Sequence, residues 1–227
     1  MDFIGIIPAH KKSERFPEKA LYKINKYSII QNVYMSVRKS KLLSNVYVAT
    51  DCLKIKKQIE EIKGKVILTN RKHSNGSLRC FEAYEKKGRN HDYLINIQGD
   101  QPFINYKIID EMIKFTESNK PEILTTGFPL LEKEKKDENS VKTYVLNNTC
   151  INFSRQNICE ENVFKHIGIY FFKDEIIDEI KNLKQTKREE KEKLEQLRWL
   201  QNNYKIHFKK SIYDVISVNS KEDLLDL

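Results

Sequence analysis

The chain opens with Phe3-Ile4-Gly5-Ile6-Ile7-Pro8 and runs without a break into Ala9-His10-Lys11-Lys12-Ser13-Glu14-Arg15-Phe16-Pro17-Glu18-Lys19. A short β-branched run with no polar-apolar alternation suits a strand covered on both faces, in the buried middle of a parallel sheet. The loop after such a strand emerges at the carboxyl edge of the sheet, where α/β folds take their ligands. Lys11, Lys12, Arg15 and Lys19 would face a polyanion there, with Pro17 stiffening the loop that carries them. Any one of these lysines alone reads as surface, but the whole string points to a nucleotide triphosphate.

The rest of the chain repeats the pattern. Strand-like runs at Phe3–Pro8, Asn45–Thr50, Val66–Leu68 and Tyr93–Gln98 alternate with helix-like runs at Ile29–Ser40, Leu53–Lys63, Arg79–Lys87 and Tyr106–Ser118. Such alternation means a parallel sheet with right-handed crossovers. Beyond Pro121 the runs Ile123–Leu130, Val141–Leu146, Cys150–Phe153 and His166–Phe172 read as strands of a mixed-sheet extension, with Glu132–Asn139 a solvated turn between them. A helix is expected from about Glu189 to Asn202, opened by a Thr186-x-x-Glu189 capping box and carrying Leu194, Leu197 and Leu200 or Trp199 on its apolar stripe. Strands near Ile206 and Val215 and a short helix from Ser220 are expected to follow, and Lys184–Lys193 reads as a solvated helix face. With 227 residues the chain can bury the core of one α/β domain with an appended subdomain.

A formal net charge of +9 raises the question of nucleic acid. The positive residues are interspersed with Asp and Glu along the whole chain, and no RNA-recognition signature, zinc-finger spacing or basic heptad helix occurs, so no specific nucleic-acid partner is expected. Cys52, Cys80, Cys150 and Cys159 form no Cys-x-x-Cys pair, which predicts reduced thiols and a cytoplasmic setting. No apolar stretch of about 18 residues is present, and Asp2 stands where a signal peptide would be positive, so neither a membrane anchor nor a leader is expected.

Two further segments bear on chemistry. In Asn96-Ile97-Gln98-Gly99-Asp100-Gln101-Pro102 an acid follows a buried strand and a tight glycine, at the same sheet edge as the basic loop. A carboxylate there can hold Mg²⁺ against phosphate oxygens, since Mg²⁺ needs only one or two protein carboxylates when phosphates supply other ligands. The same residue would serve equally well as a turn or helix cap. In His73-Ser74-Asn75-Gly76-Ser77-Leu78-Arg79 a tight Asn-Gly turn precedes a helix, exposing backbone amides to a base edge or phosphate. Neither a Walker-type loop nor a Gly-x-Gly-x-x-Gly fingerprint is present, which argues against a P-loop kinase or a dinucleotide dehydrogenase.

In order and spacing, these blocks resemble the sugar-activating cytidylyltransferases, most closely the family acting on 3-deoxy-manno-octulosonate (Kdo). The resemblance runs over nearly the whole chain and includes Val48-Ala49-Thr50-Asp51, Phe153-Ser154-Arg155, His166-Ile167-Gly168-Ile169-Tyr170, Leu194-Glu195-Gln196-Leu197-Arg198 and Val218-Asn219-Ser220 before Glu222-Asp223-Leu224. It implies a three-layer α/β/α nucleotide-diphosphosugar transferase fold with a mixed, mostly parallel sheet and a dimerisation extension. One domain over residues 1–227 would have a nucleotide-binding half to about 120 and a sugar-binding and dimerisation half beyond it. The implied reaction is CTP plus Kdo giving CMP-Kdo and pyrophosphate, for lipopolysaccharide biosynthesis, in a homodimer with Mg²⁺.

By the same resemblance Ala9, His10, Ser13, Arg15 and Lys19 would hold the triphosphate, with Lys19, Arg15 and Asp100 catalytic. Asn75, Gly76, Arg79 and Gln98 would bind the nucleotide, and Asp100 and Asn219 would be the metal ligands. Arg155, His166, Tyr170, Glu195 and Gln196 would face the sugar acid, Arg155 offering its carboxylate a two-point fork. Four positions depart from the family pattern: His10 stands for Arg, Leu78 for an acid, Asn75 for Ser and Asn219 for Asp. The Gln156–Lys165 connection is also shorter than usual. Asn219 removes one negative charge from the metal site, which predicts weaker Mg²⁺ binding. Behind the Kdo reading stand a cytidylyltransferase for another acidic sugar (8-amino-Kdo or a sialic acid), a CTP-binding paralogue without turnover and, last, an RNA-binding module.

Overall fold

The computed structural model describes residues 1–11, 15–156 and 161–224. Its elements in chain order are β1 (Phe3–Ala9), the small hairpin β2 (Lys23–Ile24) and β3 (Tyr27–Ser28), α1 (Ile29–Val37), β4 (Asn45–Thr50), α2 (Leu53–Glu61), β5 (Val66–Leu68), α3 (Gly76–Lys86), β6 (Tyr93–Ile97) and α4 (Tyr106–Asn119). Then come β7 (Ile123–Pro129), the single helical turn α5 (Glu132–Lys135), β8 (Lys142–Leu146), β9 (Thr149–Ser154), β10 (Val163–Lys173), α6 (Ile177–Asn182), α7 (Lys187–Glu192), α8 (Gln196–Gln201) and β11 (Ile206–Lys210).

The strands form one nine-stranded sheet in the order β5-β4-β1-β6-β10-β7-β11-β9-β8. Parallel pairing links β5, β4, β1 and β6, and joins β7 to β11; β10 runs antiparallel to β6, β7 and β8. Seven of these nine strands run in one direction and only β9 and β10 run against them, so the sheet is mixed and mostly parallel, as expected. The crossover helices of the first half enforce parallel pairing there; in the second half the short turn between β8 and β9 gives an antiparallel pair, while β7 and β11, separated by a long connection, pair in parallel. Helices α1, α2 and α4 pack a core on one face of the sheet; α3, α6 and α8 pack a second core on the other, giving three layers.

Local chemistry sets the helix starts. Ser28 and Gln31 close a capping box on α1, and the Asn75 side chain accepts from Leu78 N at 2.9 Å to cap α3. From β1 the chain moves outward to β4 and β5, then returns to β6 on the other flank of β1. The carboxyl ends of β1 and β6 thus meet at a topological switch point, which opens a crevice. Gly99 makes that meeting close: a β-carbon at this position would lie 2.7 Å from the Pro8 carbonyl oxygen.

Several expectations change in detail. The single helix over Glu189–Asn202 is two, α7 and α8, separated by Lys193 in the left-handed region at φ 54°. The capping box at Thr186 and Glu189 is present. A buried, two-point ion pair spans the break, from Arg198 Nε to Glu189 Oε2 at 2.7 Å and Arg198 Nη2 to Glu189 Oε1 at 2.5 Å. This clamp favours an elbow over a straight helix, since it draws α8 back onto α7. Val215 is buried against the sheet but lies in no strand, and the last helix is a 3₁₀ turn at Glu222–Leu224. Glu132–Asn139 contains the one turn of α5, and Glu134 within it is drawn in to Lys165 at 2.7 Å.

Candidate functional site

A cleft of about 1140 Å³ opens at the switch point and extends along the mixed half of the sheet. That is room for a nucleotide and a sugar acid together. At its first end Asp100, on the loop after β6, and Asn219 line the cleft and pair with the loop after β1. Lys19, half-buried, places Nζ 2.8 Å from Asp100 Oδ2. Arg15, exposed, donates from Nη2 to Asn219 Oδ1 at 3.2 Å and from Nη1 to Asn139 Oδ1. Backbone pairing of Val218 N with Asp100 O at 2.9 Å brings Asn219 beside Asp100. The two oxygen donors are hard ligands suited to Mg²⁺, and each is paired here with a cation of the basic loop. Among the described residues no group of three His, Cys, Asp or Glu could hold a metal by itself, so a metal at this edge would depend on phosphate oxygens.

Asn75, Gly76 and Gln98 line the cleft. Gly76 packs against Pro8, and Gly168 leaves room for Gln98, whose Cγ would lie 2.7 Å from a β-carbon at that glycine. Ala9 is buried at the end of β1, and His10 is exposed just after it. Ser13 and Lys12 lie outside the described residues. Arg79 is the exception and requires a correction. It is 4% exposed, donates to Thr69 Oγ1 at 2.6 Å and Asn70 O at 3.2 Å, and pairs with Asp51 Oδ1 at 3.1 Å. Four residues past the cap, its side chain tilts back along α3 into the fold and away from the cleft wall, so it braces the turn instead of presenting a free cation.

The far end of the cleft draws on β9, β10 and the elbow. Arg155 follows β9 and is partly buried; burial holds its guanidinium below its ordinary value, with the Arg15 charge adding to the effect. His166, on β10, hydrogen-bonds through Nε2 with Thr125 Oγ1 at 2.9 Å, and burial followed by the Arg155 charge lowers its pKa to about 3. It is therefore neutral at physiological pH. Tyr170 stands 2% exposed, edge-on to Trp199, with its pKa pushed up by burial and then by Glu195. Glu195, at the head of α8, accepts from Ser77 Oγ at 2.9 Å through Oε1, while its buried Oε2 has no hydrogen-bond partner. Burial raises its pKa to about 7 against the hydrogen bonds from Ser77. Gln196 is 3% exposed on the same wall.

Sequence reasoning missed several residues that complete the site. Ser77 links Glu195 to Asn96, which donates to Ser77 Oγ at 3.0 Å. Asn139 joins the two ends, accepting from Arg15 through Oδ1 and from Arg155 Nη1 through its backbone carbonyl at 3.2 Å. Lys165 is held between Glu134 and Asp214. The one available signal was Lys142, a lysine inside an otherwise strand-like run.

Residues 4–210 match the family model described as Cytidylyltransferase. A protein of Phocaeicola vulgatus named 3-deoxy-manno-octulosonate cytidylyltransferase is 37% identical, over 99% of this chain and 95% of its own length. A protein of Shewanella pealeana named 8-amino-3,8-dideoxy-manno-octulosonate cytidylyltransferase is also 37% identical, over 99% and 96%. A solved structure described as CMP:2-keto-3-deoxy-manno-octonic acid synthetase complexed with CTP superposes with a TM-score of 0.91 at 26% identity, covering 100% of this chain and 96% of that one.

Proposed function

The chain belongs to the cytidylyltransferase family, and from that premise we propose that it activates Kdo, converting CTP and 3-deoxy-D-manno-octulosonate to CMP-Kdo and pyrophosphate. One observation carries this reading: a single cleft is lined at one end by Asp100 and Asn219, which pair with Lys19 and Arg15 of the basic loop, and at the other by Arg155, Gln196 and Glu195. The likeness to a relative solved with CTP supports the choice of nucleotide.

In this reading the anomeric hydroxyl of the sugar acid attacks the α-phosphorus in line. The new oxygen–phosphorus bond forms as the bond to the β-phosphate breaks, and pyrophosphate departs. Arg155 forks onto the sugar carboxylate, and neutral His166 and buried Tyr170 shape the wall beside it. Glu195, with one unpartnered buried oxygen, accepts from a sugar hydroxyl. Lys19 and Arg15 turn from Asp100 and Asn219 to the β- and γ-phosphates and stabilise the leaving charge. Asp100, with the Asn219 amide beside it, would hold Mg²⁺, which when bound supplies charge neutralisation on the phosphate oxygens. No side-chain nucleophile takes part.

The wider setting belongs to the same proposal. Free thiols at Cys52, Cys80 and Cys150 suit a reducing cytoplasm. No helix among the described residues is long and apolar enough to cross a membrane. Exposed Leu146 and Ile151 on β8 and β9 offer an apolar face to a second copy in a homodimer. The product would feed lipopolysaccharide assembly.

The test is pyrophosphate release from CTP, Mg²⁺ and Kdo, with UTP and sialic acid as controls. Release only with CTP and Kdo is expected; none with any acid would return the protein to a CTP-binding role. Because the Shewanella relative is as similar as the Phocaeicola one, the 8-amino sugar is the second reading. A higher kcat/KM for it than for Kdo would exchange the two.

A further inference from the structure

Lys142 is fully buried, at 0% exposed, within strand β8. It sits opposite Ser154 of β9 and Lys165 of β10, a position a β-branched or apolar side chain would fill at far lower cost. Among the described residues it forms no ion pair. Its ammonium donates instead to two backbone carbonyls, Asp137 O and, at 3.2 Å, Arg155 O. Burial lowers its pKa, the nearby Arg155 adds to this, and Asp137, Glu134 and Glu138 oppose it.

Both carbonyls lead to the same place. Asp137 belongs to the strap between α5 and β8, and the next two residues of that strap, Glu138 and Asn139, accept from Arg155 Nη1 through their carbonyls at 3.2 Å each. Lys142 thus fixes the backbone of Arg155 at one end and, through the strap, its guanidinium at the other. The strap is also tied by Asn139 to Arg15, and α5 before it by Glu134 to Lys165 at 2.7 Å. Arg155 has Arg15 close enough to depress its pKa, and two like charges at such range would splay without a scaffold of acceptors between them.

We infer that Lys142 is a positioning residue: a buried cation that locks the strap onto Arg155 and so holds the guanidinium in the cleft for an anionic sugar. This rests on Arg155 being the group that meets the sugar carboxylate. Its chemistry selects acceptors in a set geometry, two carbonyls on a short arc, which no apolar residue replaces.

The test compares Lys142→Met, Lys142→Gln, Arg155→Ala and the Lys142→Met/Arg155→Ala pair, each with its melting temperature recorded, in pyrophosphate release with CTP and Kdo. Lys142→Met is expected to raise the KM for Kdo on the order of tenfold while leaving the KM for CTP within about twofold. Lys142→Gln, which keeps a donor, should recover part of that loss, and the double variant should bind Kdo no worse than Arg155→Ala alone. Equal shifts in both KM values, no shift in either, or additive losses in the double variant would overturn the proposal. If Lys142→Met fails to fold, Lys142→Gln decides alone, and an unchanged KM for Kdo rejects the inference. An unchanged KM for Kdo in Arg155→Ala would instead remove the sugar-site reading beneath it.

Discussion

The two ends of the cleft handle charge in opposite ways. At the nucleotide end Lys19, Asp100, Arg15 and Asn219 stand half-buried or exposed on three chain segments that meet at the sheet edge, and they satisfy one another. At the sugar end Arg155, His166, Tyr170 and Glu195 are desolvated, and burial is the leading cause of each shifted pKa. The first arrangement suits a multiply charged ligand that exchanges partners with mobile cations. The second suits discrimination, because a buried polar group left unpaired penalises the wrong substrate. The nucleotide end should therefore respond to charge deletions at the reacting centre, and the sugar end to pH, to the elbow and to its supporting contacts.

The contrast is most exposed at the elbow. Arg198→Met would leave Glu189 buried without its partner and is expected to cost about 3–5 kcal/mol of stability, read by chemical denaturation. A loss under about 1 kcal/mol would mean that the clamp does not hold α7 to α8. At the other end, Lys19→Met should leave the fold intact and lower kcat by about 10²–10³, near 3 kcal/mol of barrier, in single-turnover pyrophosphate release. A change confined to the KM for Kdo would move Lys19 to the sugar end.

Glu195 sharpens the comparison through pH. Its carboxyl holds a proton in the fold up to about 7 but releases it near 4.5 when unfolded. Between those values the folded state carries the extra proton, so the stability present below pH 4.5 is lost as pH rises through 7. Glu195→Gln should flatten that slope, by at most ~3 kcal/mol and less as the open cleft screens the charge. Melting curves from pH 4 to 8 measure it, and identical slopes in both proteins would deny the desolvation of Glu195. The smallest effect is expected at Asn219→Asp, which returns a carboxylate beside Asp100. The half-saturating Mg²⁺ concentration should fall roughly fivefold, about 1 kcal/mol. An unchanged or higher requirement would separate Asn219 from the metal.

The same divide separates what was legible in the sequence from what was not. The nucleotide end is written in contiguous segments, a strand and its loop, so Lys19 and Asp100 could be assigned to one sheet edge before any fold was seen. The sugar end was reached through resemblance, because its residues come from β9, β10 and α8 and meet only through the sheet order. The elbow escaped because Leu194 and Leu197 continue a helical period across Lys193, itself a good helix former; the break is set by the tertiary Glu189–Arg198 pair. Arg79 misled because adjacency to the Asn-Gly turn suggested a ligand, whereas helix geometry aims it at Asp51. Val215 was read as a strand because periodicity reports burial and not the presence of a ladder partner. Glu132–Asn139 looked like solvent-facing filler because charge density hides which single carboxylate is drawn inward.

The torsion at Lys193 sets where Glu195 and Gln196 point without touching the sheet edge that carries Asp100. A substrate preference could therefore drift by re-aiming one bond, leaving the phosphate chemistry untouched. Glycine there would relieve the strained backbone yet free the hinge to swing, and the resulting enzyme would be as durable as the parent but less choosy about its sugar.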